Sequence, residues 1–135
     1  MNYKQGFTLV EILIVVIILG ILAAIVIPQF TEASDDARES AIRSDLQTVR
    51  SQLELYKVQH TGSYPAALTF VTDMTTKIGN YGPYLQTFPT NPYNDLADVT
   101  VEAGNTGIGD GSTGWHFDST TGRFSANDSA AHAAW

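Results

Sequence analysis

Residues 7–28 read FTLVEILIVVIILGILAAIVIP, and the reading of this stretch decides the fold. From Ile12 to Ile27 there is no charged and no polar side chain. Residues 7–27 would form roughly 31 Å of helix at 1.5 Å per residue. That length crosses a hydrocarbon core. The one anomaly is Glu11. A carboxylate near the end of an apolar span costs up to about 2.5–3.5 kcal/mol at the bilayer centre and less near an interface. A charge that snorkels to the headgroups is one explanation. A cationic partner is the other, because intramembrane acids are usually paired. A free amine at Phe7, exposed by a cut after Gly6, would lie four residues from Glu11. The amine of a neighbouring chain, displaced slightly along the helix axis, would then complete an ion pair in low dielectric. On this reading Glu11 stays unpaired in the single chain.

Outside the span, the 135 residues leave room for one small domain with a modest core. Fourteen acids against seven bases give a formal charge of −7. An acidic surface without a basic stripe argues against nucleic acid as a direct ligand. With no cysteine there are no disulfides and no thiolate metal sites. The segment is not an ordinary secretory signal. Its small residue, Gly6, precedes the apolar run, so a cut there keeps the helix on the mature chain. Lys4 before the span and Glu32, Asp35 and Asp36 after it place the N-terminus in the cytoplasm.

Beyond Pro28 the helical pattern continues. Ile42, Leu46, Val49, Leu53 and Tyr56 fall at spacings of 4, 3, 4 and 3, one apolar face, which Ala37 and Ala41 extend toward Pro28. Glu39 with Arg43 and Arg50 with Glu54 are i,i+4 pairs on the polar face. Thr61-Gly62-Ser63-Tyr64-Pro65 ends the helix near His60. One helix of about fifty residues results, with Gly20 and Pro28 as its weak points. A short helix is expected over 66–78, with Leu68, Val71, Met74 and Ile78 on its face. Residues 79–95 form a Pro-, Asn- and aromatic-rich loop, in which Tyr81, Tyr84, Phe88 and Tyr93 either pack the loop or form a subunit contact. Val99–Glu102 reads as a strand, Gly104–Gly114 as an irregular connection, and 115–126 as a hairpin turning at Gly122. Trp135 is placed to pack back onto the sheet. The fold class is therefore α+β: a long N-terminal helix whose second half packs on a small antiparallel sheet. The organisation expected is 7–30 as the membrane segment and 31–135 as the exported domain. Within that domain the helix takes 31–60, loops 61–97 and the sheet 98–135.

The run KQGFTLVEILIVVIILGILAAIVIP, residues 4–28, resembles the leader and transmembrane helix of type IV pilins and type II secretion pseudopilins. HTGSYP, PYLQTFPTNPYND and GWHFDSTTGRFSAN are similar to the major-pseudopilin subgroup. The resemblance implies that residues 1–6 are a leader removed by a prepilin peptidase after Gly6, and that Phe7 is N-methylated. It implies a helical homopolymer drawn from the inner membrane by an assembly platform, with Glu11 meeting a neighbour's Phe7 amine. It also implies loss of helix around Gly20–Pro28 in the filament, which stands in the periplasm or outside the cell. Secretion pseudopilus is favoured over a pilus for adhesion, motility or uptake by the short chain, the absent cysteines and the hairpin ending. A membrane-anchored binding domain is the reading from a different class.

Major pseudopilins often hold Ca²⁺ in a C-terminal loop, and Asp110, Asp118 and Asp128 offer hard oxygen ligands, although their spacing fits no EF-hand. No other cofactor is expected, and no enzymatic activity. His60, His116 and His132 are scattered and no HExxH occurs. Ser112 and Ser119 lack a nucleophile elbow. GNTGIGDGSTG has no phosphate-loop lysine.

Overall fold

The computed structural model describes residues 6–104 and 106–135. Lys4 and the rest of the expected leader before Gly6 lie outside the described residues. Helix α1 runs Leu9–Gln59, α2 Phe70–Thr75, β1 Val99–Glu102, β2 Trp115–Asp118 and β3 Arg123–Ala126, and a 3-10 turn covers His132–Ala134. The chain divides into two compact units, Met1–Ala37 and Arg38–Trp135, so the boundary falls within α1, after Ala37.

In the first unit every large apolar side chain from Leu9 to Phe30 is exposed. The helix is long and apolar enough, by length and composition, to cross a membrane. It stays helical through Gly20 and Pro28. Pro28 has no amide to offer the Ala24 carbonyl. The Thr31 hydroxyl donates to the Ile27 carbonyl one turn later, at 3.2 Å.

In the second unit Ile42, Leu46, Val49, Leu53 and Tyr56 are all buried. They meet Phe70, Met74, Leu85, Trp115, Phe117, Phe124 and Ala126 in one core. The buried stripe begins at Ile42, because Ala37 and Ala41 are exposed. The helix ends as its sequence demands. Thr61 and Gly62 both take positive φ, 55° and 88°. The Gly62 amide bonds back to the Lys57 carbonyl at 2.8 Å, a Schellman closure.

The expected helix over 66–78 is only six residues long, and its face differs. Phe70 and Met74 are buried, whereas Leu68 is fully exposed, Ile78 half exposed and Val71 about a third. An i,i+4 pair led by an aromatic wins because Phe70 stacks among Phe117, Phe88 and Phe124.

The sheet has three strands in the order β1-β2-β3. The hairpin β2–β3 is antiparallel, with Phe117 opposite Phe124. Gly122 turns it with a φ of 78°. A Cβ there would run into the Tyr64 hydroxyl. The expectation of an all-antiparallel sheet is corrected at β1, which pairs with β2 in parallel, Val99 opposite Trp115 and Glu102 opposite Asp118. Residues 103–114 are what make this possible, since a parallel pair needs a crossover of about a dozen residues.

Candidate functional site

Thr8 is the last residue before α1, and Glu11 lies in its first turn. The Thr8 hydroxyl accepts the Glu11 amide at 3.2 Å. In return, Glu11 Oε2 accepts the Thr8 amide at 3.3 Å and the Thr8 hydroxyl at 3.4 Å. Thr8-Leu9-Val10-Glu11 is thus a capping box, in which hydroxyl and carboxylate satisfy helix-end amides reciprocally. Glu11 therefore has neutral partners that close the start of its own helix, while no cation pairs with it among the described residues. The contacts are long and solvent-facing. Phe7, just outside the box, is 79 % exposed. A protonated amine arriving at Glu11 would exchange neutral donors for a charged one, which bonds about twice as strongly.

The three aspartates proposed from sequence do not converge. Asp118 sits where the hairpin turns, opposite Arg123. It accepts the Gly104 amide at 2.8 Å, the Thr120 amide at 2.9 Å and the Thr121 hydroxyl. These bonds, Thr121 foremost, hold its carboxyl down at about 2. Asp110 and Asp128 lie beyond the other end of the hairpin, near Asn127, roughly 10 Å away along four strand residues. Asp110 accepts the amide and hydroxyl of Ser112 and the Asn127 amide nitrogen, and the Ser112 bonds lead in lowering its pKa. Asp128 accepts from Asn91 Nδ2 at 2.8 Å and is bonded to His132 Nδ1. Among the described residues no three His, Cys, Asp or Glu side chains gather as a metal set. Asp118 lies at the turn end of the hairpin and Asp110 and Asp128 at the other, so the three do not form one ligand set for Ca²⁺.

Sequence reasoning missed Asn91 and Asn127, both fully buried. Asn91 donates to the Gly114 carbonyl and to Asp128, and accepts the Tyr93 amide. Asn127 donates to Asp110 and the Thr113 hydroxyl, and accepts the Gly109 amide at 2.6 Å. Together they pin the Pro-rich loop, the Gly-rich crossover and the C-terminal segment. The only sequence signal was Asn in turn-rich company. The Glu39–Arg43 pair forms at 2.9 Å. Arg50 leaves Glu54 and turns inward, donating to the Phe124 carbonyl at 2.7 and 2.9 Å and to the Trp135 carbonyl at 2.6 Å. Arg43 lies 4.1 Å over the Trp135 ring, so the C-terminal segment is held by two arginines of α1. The loop aromatics pack as their composition suggests: Tyr84 on Tyr56, Phe88 on Phe70 and Tyr93 on His132.

A capped, fully exposed apolar helix continuous with the core helix of a small α+β domain defines a pilin-like class of protein. Residues 1–27 match the family model of the prokaryotic N-terminal methylation motif. Residues 29–107 match that of type II secretion system protein G, and the chain belongs to this family, that of the major pseudopilins. It is similar to the type II secretion system core protein G of Pseudomonas aeruginosa, 36 % identical with 72 % of this chain and 76 % of the relative covered. The core protein G of Klebsiella pneumoniae is 32 % identical, covering 69 % and 71 %. A type IV narrow pilus major component of Thermus thermophilus is 40 % identical over a shorter stretch, 43 % of this chain and 50 % of the relative. No solved structure matches it.

Proposed function

We propose that this chain is a structural subunit of a secretion pseudopilus. A prepilin peptidase would cut it after Gly6 and the new Phe7 amine would be methylated. It would then wait in the inner membrane, with its N-terminus cytoplasmic, until a platform draws it into a periplasmic filament. The observation that carries this reading is a glutamate, Glu11, four residues from exposed Phe7, at the mouth of an apolar helix that no described residue of its own chain covers. A cap alone needs no negative charge there, since glutamine would serve, whereas a polymerising helix uses the charge to select the axial stagger of its neighbour. Packing of apolar helices against one another in the filament then replaces lipid contacts, and Gly20 and Pro28 are where helix can loosen to allow it. The core protein G chains support secretion over the pilus role of the Thermus relative, because they match more of this chain, 72 % and 69 % against 43 %. Mass analysis of the N-terminus of assembled filaments tests the processing. The expected result is a chain starting at methylated Phe7, and recovery of an intact Met1 start would contradict it.

A further inference from the structure

Most cations of this acidic chain are already committed. Arg43 holds Glu39 and Trp135, Arg50 and Arg123 bind backbone carbonyls, and Lys57 holds the Tyr64 hydroxyl. Lys77 is different. It is exposed and makes no hydrogen bond or ion pair among the described residues. It flanks a two-residue turn, Gly79-Asn80, closed by reciprocal bonds between Ile78 and Tyr81 at 3.0 and 3.2 Å. Ile78 and Tyr81 are about half exposed, so the turn is a hydrogen-bonded knob carrying one cation beside apolar surface.

A matching hollow lies elsewhere in the same domain. A cavity of about 350 Å³ opens between α1 and the Pro-rich loop, lined by Asp45, Thr48, Leu85, Thr87, Pro89 and Thr90. Asp45 is half-buried there and has no hydrogen-bond or ion-pair partner among the described residues. Burial alone pushes its carboxyl up, with no cation offsetting it. A half-buried carboxylate beside Leu85 and Pro89 suits a side chain that is apolar along its stem and cationic at its tip.

We propose that the Lys77–Tyr81 knob of one subunit docks in the Asp45 cavity of a second copy of this chain, with Lys77 pairing to Asp45. Knob and hollow are different patches of one surface. Their contact is therefore heterologous, the kind that propagates into an open helical polymer and not a closed dimer. In a chain of net charge −7, one placed cation per interface also offsets repulsion between neighbours. This inference rests on the filament reading and adds to it a contact between globular domains.

The chain has no cysteine, so a designed pair reports cleanly. Full-length Asn80→Cys/Thr87→Cys, both at exposed positions, would be assembled in cells, and sheared filaments oxidised and separated under denaturing conditions. A ladder of disulfide-linked multimers is expected from the pair and from neither single variant. Asp45→Lys should lower filament yield by about tenfold or more, and adding Lys77→Asp should restore most of it. If filaments form and the cysteine pair stays monomeric, or if Asp45→Lys assembles normally, the docking proposal is overturned and the filament reading stands. Loss of secretion with filaments intact in Asp45→Lys would assign the cavity to another partner and overturn it equally. If the parent chain builds no filament at all, both readings fall.

Discussion

The two halves of α1 are built from similar apolar residues and treat them oppositely. Between Leu9 and Phe30 the apolar side chains surround the helix and none is buried, while from Ile42 to Tyr56 one stripe is buried almost completely. The first half suits surroundings that are themselves apolar. The second half makes its own interior with the sheet. One helix therefore serves as two devices, and the period of the apolar residues tells them apart.

The sharpest way to break this comparison is to delete the same atoms in each half. Leu53→Ala removes a core side chain and should cost about 2–5 kcal/mol of unfolding free energy in detergent-solubilised chain. Leu19→Ala, fully surface-lying in the single chain, should change it by less than about 0.5 kcal/mol. Equal losses would mean that the apolar half has an interior of its own. Arg50→Ala comes next. It leaves the Phe124 and Trp135 carbonyls without their donor and should cost about 1–3 kcal/mol, read by denaturant unfolding. The Arg43 contact to Trp135 should weaken with it.

A smaller effect, confined to acid, belongs to Asp118. Its carboxyl sits at about 2 in the folded chain, below the ordinary value, so the folded state binds its proton less readily than the unfolded state. Its stabilisation is thus complete above about pH 4 and is lost as pH falls toward its folded value. Asp118→Asn should flatten stability against pH across that window, measured by acid titration of the combined fluorescence of Trp115 and Trp135. An unchanged acid limb would show that the hairpin turn does not depend on the carboxylate.

Much of this molecule was legible in its sequence, because the signals were local and repeated. The five-residue stripe, the Thr61-Gly62 stop and the Gly122 hairpin each follow from spacing or from a required backbone conformation. The direction of β1 was not legible, since alternation in Val99–Glu102 is the same in either direction. Only the length of the crossover, residues 103–114, carried the answer. The face of α2 was set by which aromatic fits against Phe117, a tertiary fact. Arg50 looked like a surface partner for Glu54, yet buried carbonyls were the stronger acceptors. At the N-terminal site Gly6, Phe7 and Glu11 stood out from the sequence. Thr8 did not, because the oddity of the glutamate hid the ordinary capping box it completes.

That box also supplies the most direct test. Glu11→Gln keeps an acceptor for the Thr8 amide, since capping boxes accept Glu or Gln, but removes the charge a neighbouring amine would seek. The measurement is filament yield from full-length Glu11→Gln in cells, alongside helix content and membrane insertion of the monomer. The account predicts an inserted, helical, correctly processed subunit that fails to polymerise. Normal filaments from Glu11→Gln would contradict it and leave Glu11 as a helix cap alone.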